Sequence, residues 1–119
     1  MARAKSSVPS RKRRKVTLER AQGYYGNKSR SYRAANEQVM HSLQYAYRDR
    51  RARKGEFRRL WIQRINAASR EHGVSYSRFV SGLKAAGIEL DRKVLADIAV
   101  RDADTFRRFA EAAREALPA

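Results

Sequence analysis

The sequence lacks several features, and each absence narrows the classes of function. No cysteine occurs among the 119 residues, which excludes disulfides, Cys-ligated zinc and thiol chemistry. No apolar run approaches the ~18 residues that a membrane-spanning helix needs. The N-terminus, MARAKSSVPSRKRRKV, lacks the apolar segment of a secretory signal peptide. Its basic composition suits a transit peptide, a nuclear-localisation signal or a polyanion-binding tail, and we favour the last because the charge continues far downstream.

Residue patterns that carry catalysis or hold a metal ion are also missing. The two histidines, His41 and His72, have no metal-ligand spacing between them. There is no Gly-rich phosphate loop, no HExxH motif and no set of Ser, His and Asp. The best-placed carboxylates, Asp91 and Asp102 or Asp104, are explained as helix caps. We therefore predict a binding protein that is not an enzyme and has no cofactor and no metal site.

Acidic residues are scarce and unevenly distributed in this chain of net charge +16. Residues 1–60 contain 18 Lys and Arg against 4 acidic residues, whereas residues 61–119 contain 10 against 8. Self-repulsion disfavours folding of the first half alone, and the second half has the balanced charge of an ordinary globule. We predict a basic extension over residues 1–56 and a helical globular domain over residues 57–119.

Proline occurs only twice, so little interrupts helix formation in the extension. Serine and proline before a cationic run predict a disordered or weakly ordered tail over residues 1–15, with a short helix over about 16–22. The glycines and Asn of GYYGNKS predict a turn over 23–29. A single long helix is then predicted from about 30 to 72.

The first half of this long helix has an apolar stripe that becomes cationic further along. At about 100° per residue, six side chains fall within roughly 120° of one another: Tyr32, Ala35, Val39, Leu43, Ala46 and Tyr47. The same face continues through Arg50, Arg53 and Lys54. No protein core can pack there without burying unpaired charge. A solvated helix is the alternative, but such helices usually mix signs at i,i+4, so we favour a polyanion on more than one side.

Four helical segments are predicted in the domain. Residues 57–72 have an apolar arc of about 200°, which indicates a central helix packed from more than one side, and Arg64 within it either extends to solvent or reaches a phosphate. Gly73 and Gly87 suit helix C-termini, and Ser75 and Asp91 suit N-caps. We predict an all-α fold, in which a long basic N-terminal helical extension leads into a small four-helix C-terminal globular domain.

Three polyanions suit a basic extension: RNA, DNA or an acidic membrane. A membrane-bound helix needs one broad apolar face, which residues 48–54 lack. Residues 75–86 and 92–101 resemble a helix-turn-helix, but most of the charge lies far from that pair. RNA fits better, because an arm can thread between RNA helices and tyrosines can stack on exposed bases. For Tyr24 and Tyr25, packing against the next helix is an equal alternative.

Two segments carry a family resemblance. GYYGNKSRSYRAA and YAYRDRRARKGEFRRLWIQRINAASREHGVSYSRFVSGLKAAGIELDRKVLADIAV, with the basic N-terminus, closely resemble the bacterial large-subunit ribosomal protein numbered twenty. The resemblance covers nearly the whole chain and is weakest after about residue 101. It implies direct binding to large-subunit (23S) ribosomal RNA, an early role in large-subunit assembly and no catalytic role in peptide synthesis. It also implies neighbouring ribosomal proteins as partners, location in the cytoplasm within the ribosome and, for some members, repression of their own messenger RNA.

The resemblance also implies which residues contact RNA. In the extension and the long helix these are Arg11, Lys12, Arg13, Arg14, Lys15, Tyr24, Tyr25, Lys28, Arg30, Arg33, Arg48, Arg50, Arg51, Arg53, Lys54, Arg58 and Arg59. In the domain we add Ser75, Ser77, Lys84, Arg92 and Lys93. The serines lie at a predicted helix N-terminus, whose free N–H groups suit a phosphate, although a plain N-cap role explains Ser75 better.

Overall fold

The computed structural model describes residue 3 and residues 5–117 of the chain. Its elements are α1 (Ser7–Arg20), a 3-10 helix (Gly26–Ser29), α2 (Tyr32–Glu71), α3 (Tyr76–Ala85), α4 (Arg92–Arg101) and α5 (Ala103–Glu115). The described residues contain no strand. The all-α prediction is therefore confirmed, and the long helix lies within two residues of its predicted bounds.

The predicted disordered tail is wrong from residue 7 onward, because α1 begins at Ser7 and runs unbroken to Arg20. Residues 1, 2 and 4 of that prediction lie outside the described part of the chain. Pro9 is tolerated because it falls in the first turn, where the backbone N–H has no intrahelical partner. Arg and Lys are good helix formers, so the cationic run extends the helix instead of preventing it.

The chain divides into two compact units, the first ending at Arg51 and the second beginning at Ala52. In the first unit the core is small: Ala21, Ala35 and Val39 are buried, and Leu18 and Tyr24 pack against them. Only part of the predicted apolar stripe of α2 is therefore buried. Its later members Leu43 and Tyr47 are more than half exposed.

The backbone of two glycines confirms the predicted turn at residues 23–29. Gly23 has a φ of 83° and Gly26 a φ of 58°, a region that L-residues with a Cβ rarely adopt. Asn27, which tolerates the same region, does not adopt it, since glycines alone have positive φ among the described residues. The two glycines lie on either side of Tyr24 and Tyr25.

The core of the second unit is built around α5. Phe79 of α3 and Phe106 of α5 are fully buried, and their rings stack with centroids 5.0 Å apart. α3 and α4 both pack against α5. From α2, Ile65 enters this core, and Trp61 and Ala68 pack against it. Buried aliphatic and aromatic side chains are the main source of stability in a domain of this size.

The wide apolar arc predicted for residues 57–72 is packed in part. Ile65 is buried and Trp61 is half-buried, whereas Phe57 is 47% exposed and Leu60 is 37% exposed. The central helix is α5, because two other helices pack on it. Periodicity shows that a face is apolar but not whether another element covers it.

The helix ends follow the predictions closely. Gly73 and Gly87 have φ values of 73° and 72°, and each closes a Schellman motif, with Val74 N–H donating to Ser69 C=O at 3.0 Å and Ile88 N–H to Leu83 C=O at 2.9 Å. Asp91 caps α4 by accepting from Val94 N–H at 2.7 Å. The predicted end of α5 at Pro118 lies outside the described residues.

Two further caps were left open by the sequence. Asp102, and not Asp104, caps α5 by accepting from the backbone N–H of Thr105 at 3.0 Å. Ser75 occupies the N-cap position of α3, but its side chain makes no capping hydrogen bond.

Candidate nucleic-acid interface

Residues 43–60 of α2 form an uninterrupted stretch in which every residue is exposed. It contains the cations Arg48, Arg50, Arg51, Arg53, Lys54, Arg58 and Arg59. The residues advance by about 100° each, so the cations surround the helix axis instead of forming one face. A partner for this stretch must be able to accept positive charge from several directions.

Asp49 neutralises little of this charge. It pairs with Arg48, whose Nε donates to Oδ1 at 2.9 Å, and both side chains are well over half exposed. The hydrogen bond that Arg48 donates to Asp49, and then the charge of Asp49, raise the pKa of Arg48 above the ordinary value. Within the described residues the other five arginines of the stretch have no carboxylate at ion-pair distance: Arg50, Arg51, Arg53, Arg58 and Arg59. They remain available to phosphates.

Arginines stack on tyrosines along the same stretch. The guanidinium of Arg48 lies 4.7 Å from the centroid of the Tyr45 ring, and that of Arg51 lies 4.8 Å from the Tyr47 ring. Tyr45 and Tyr47 are themselves about half exposed. Planar guanidinium and phenol groups held together in this way offer positive charge and a flat surface. Unpaired RNA bases can stack on such a surface.

The two tyrosines of the glycine-flanked turn have different environments, which separates the two alternatives left open by the sequence. Tyr24 packs in the core of the first unit, and its hydroxyl shares a hydrogen bond of 2.7 Å with Ser42 Oγ. Tyr25 is 92% exposed. Tyr25 therefore has its ring free to stack on a partner, whereas Tyr24 has a packing role in the protein itself.

The cationic run of α1 is helical and exposed. Its five residues Arg11, Lys12, Arg13, Arg14 and Lys15 cover more than one full turn, so they too point all round the axis. The guanidinium of Arg14 lies 5.2 Å from the centroid of the Tyr32 ring. Lys28, Arg30 and Arg33 are exposed around the following turn.

Beyond α2, the candidate residues of the second unit lie on α3, at its N-cap and on α4. Ser75, Ser77, Lys84 and Lys93 are exposed, whereas Arg92 is half-buried. The Nε of Arg92 donates a hydrogen bond of 2.9 Å to the hydroxyl of Tyr76. Sequence reasoning missed Tyr76, because no local spacing connects two residues on different helices. Arg64, for which two roles were left open, is exposed.

α3 and α4 do not form the compact pair expected of a helix-turn-helix. Each packs against α5, and between them lies a groove lined by residues of both helices and of their connection. A DNA-reading pair places its second helix across the first and presents side chains along its exposed face. α4 presents Lys93 at its start and then the apolar Val94, which is 43% exposed.

Within the described residues, no cluster of three or more His, Asp or Glu side chains has a geometry that could hold a metal ion. None of the described helices combines the length and the apolar character of a membrane span.

Comparison with known families assigns the chain. The sequence matches the family described as ribosomal protein L20 over residues 3–109, which is most of its 119 residues. The matched range contains α1 to α4 and the first half of α5. Members of this family are structural proteins of the large ribosomal subunit, in the cytoplasm, with ribosomal RNA and ribosomal proteins as partners. The chain belongs to the ribosomal protein L20 family.

Proposed function

We propose that this protein binds large-subunit (23S) ribosomal RNA directly and promotes an early step in large-subunit assembly, with no catalytic role in peptide synthesis. The observation that carries the proposal is the exposed cationic stretch at residues 43–60 of α2. A helix with cations on all sides and no protein packed on it is best stabilised by phosphates that enclose it.

Electrostatics also supports an assembly role. Before RNA binds, the cations of the extension repel one another, and this repulsion disfavours its compact state. RNA phosphates remove that repulsion while the helix holds separate RNA strands together. A protein of this kind stabilises the RNA arrangement that it neutralises, so we expect it to favour early folding of the RNA around it.

RNA is favoured over duplex DNA by the stacking groups. Tyr25 and the Arg–Tyr stacks at Tyr45 and Tyr47 present flat, exposed surfaces. Folded ribosomal RNA supplies unpaired bases in loops and junctions, whereas the bases of a DNA duplex are already stacked.

The proposal is tested by binding of the full chain to a large-subunit ribosomal RNA transcript over a range of salt. Affinity should fall steeply as salt rises, because many phosphates release counterions. Equal affinity for duplex DNA of the same length, or a flat salt response, would contradict it.

A matched pair of variants locates the binding surface. Replacing Arg48, Arg50, Arg51 and Arg53 together by Ala should weaken binding strongly. Replacing Arg70, Arg101, Arg107 and Arg108 by Ala removes the same charge from exposed positions of the second unit and should weaken binding much less. Equal losses in the two variants would mean that net charge alone drives the association.

We also propose that the same surface binds the protein's own messenger RNA and represses its translation, if that messenger folds into a structure like the ribosomal site. The leader of the messenger should then compete with the ribosomal transcript for the full chain. Absence of competition at saturating leader would remove this second role and leave the first intact.

A further inference from the structure

The hydroxyl of Tyr76 holds the guanidinium of Arg92 in one orientation. Arg92 Nε donates to it at 2.9 Å. Tyr76 begins α3 and packs against the core of the second unit, whereas Arg92 begins α4. Both side chains are half-buried. A tyrosine anchored in the core therefore immobilises a long side chain that would otherwise sample many rotamers.

The side chain of Arg92 is held in place, but its charge is not neutralised. Within the described residues the ion pairs involve Arg48, Arg101 and Arg107, and no carboxylate lies at ion-pair distance from Arg92. The neighbouring Asp91 accepts the capping hydrogen bond from Val94 N–H. Tyr76 is a neutral acceptor that engages Nε, so the terminal nitrogens of the guanidinium fork remain free for an anion.

Arg92 lines a groove that suits part of a nucleotide. The groove has a volume of about 520 Å³ and lies between α3 and α4. Its lining combines apolar side chains with two cations and two acids: Ile65, Val80, Leu83, Ile88, Leu90 and Leu95, with Lys84, Arg92, Glu89 and Asp91. Arg92 and Lys84 thus line the same concave surface.

We propose that Tyr76 is a positioning residue for RNA binding, which fixes the Arg92 guanidinium as a preformed phosphate site on the second unit. The inference rests on the proposed RNA-binding function and adds to it a specific contact far along the chain from the extension. A side chain that is already ordered loses less entropy when it binds, so the hydroxyl of Tyr76 contributes to affinity without touching RNA.

A double-mutant cycle on the full chain, with a large-subunit ribosomal RNA transcript as probe, tests the inference. Tyr76→Phe removes one hydroxyl and should weaken binding about three- to tenfold, the range of a lost hydrogen bond. Arg92→Ala should weaken binding at least as much and reduce the slope of log affinity against log salt by about one phosphate. In the Arg92→Ala background, Tyr76→Phe should then have no further effect.

That last measurement distinguishes positioning from a structural role. If Tyr76→Phe acted by loosening the fold, its effect would persist without Arg92. Tyr24→Phe is the control, since it also removes a hydrogen-bonded hydroxyl, at 2.7 Å from Ser42, but not one bonded to Arg92. Any effect of Tyr24→Phe should be the same in both backgrounds.

The experiment distinguishes failure of the proposed function from failure of the inference. If the unmodified chain does not bind the transcript, RNA binding and the inference fall together. If it binds, but Tyr76→Phe binds as tightly as the unmodified chain, or loses the same factor with and without Arg92, the inference alone is overturned. Thermal melts of all variants establish that binding is measured below the unfolding transition.

Discussion

Gly82 of α3 lies directly against the backbone of Ala113 of α5. A Cβ on Gly82 would lie 2.7 Å from the Cα of Ala113 and would also collide with its carbonyl group. Both residues are buried. The obstructing atoms belong to the backbone, so no rotamer change can make room for a methyl group, and the spacing of the two helices depends on glycine at this position.

Gly82→Ala should therefore lower the free energy of unfolding by about 3 kcal/mol or more, the upper part of the range for overpacked cores. Gly55→Ala is the matched control, because a Cβ there meets nothing within 4 Å, and it should stabilise the exposed helix by up to ~1 kcal/mol. Denaturant titration measures both. A Gly82→Ala protein as stable as the unmodified one would show that α3 and α5 can separate without cost.

Tyr25→Ala should weaken binding to the ribosomal RNA transcript by about 1–3 kcal/mol, the range for a base stacked on an aromatic ring. The melting temperature should not change, because the side chain is 92% exposed. Tyr24→Ala should instead lower the melting temperature, since the Tyr24 ring packs in the core of the first unit. If Tyr25→Ala binds RNA normally, this turn does not stack on a base.

Asp102 should make stability sensitive to acid. The side-chain hydrogen bond from Thr105, and then that from the Thr105 backbone N–H, lower the pKa of Asp102 below its ordinary value. A carboxylate with a lowered folded-state pKa stabilises the fold above its unfolded value, and this contribution is lost as pH falls through the folded value. Melting temperatures should therefore fall below about pH 4, in part through Asp102.

Two substitutions isolate the contribution of Asp102. Asp102→Asn keeps an acceptor at the cap but removes the titrating group, so melting temperature should depend less on pH in the acid range. Asp104→Asn, in the same first turn of α5, should leave the dependence in place, because Asp102 accepts the capping bonds. Identical acid profiles for the two variants would assign the sensitivity to other carboxylates.

The proposed division into a basic extension and a folding domain is tested on two fragments. Residues 60–119 should unfold cooperatively, because they contain the whole buried core around Phe79 and Phe106. Residues 1–55 should not, since their core consists of Ala21, Ala35 and Val39 and their charge is strongly positive. Far-UV circular dichroism compares them. A cooperative melt of the fragment 1–55 in low salt without RNA would contradict the proposal.

Much of the fold follows from local chemistry. The glycine positions after α2 and α3, the Asp91 cap and the bounds of the long helix were predictable because a cap or a left-handed residue acts on its own turn. The charge run at residues 48–54 likewise indicated a surface without a protein partner, and the structure leaves it exposed.

The errors arose where a local signal was ambiguous. Ser6, Ser7, Pro9 and Ser10 are typical of a loop, but such residues also suit a helix N-terminus, and α1 begins among them at Ser7. Leu18 packs against the cluster of Ala21, Ala35 and Val39, which joins distant parts of the chain and favours the helix in a way that propensity alone does not show.

The bounds of α2, α3 and α4, the short turns after α2 and α3, and the concentration of cations in the first half of the chain were predictable from the order of the residues. Periodicity, caps and charge act between near neighbours, so they can be recognised in the order of the residues. The tertiary structure decided that α5 is the central helix of the second unit, that Ile65 is buried while Phe57 is exposed, and that Tyr76 meets Arg92. These relationships depend on which distant surfaces meet, because an apolar face is buried only where another element covers it.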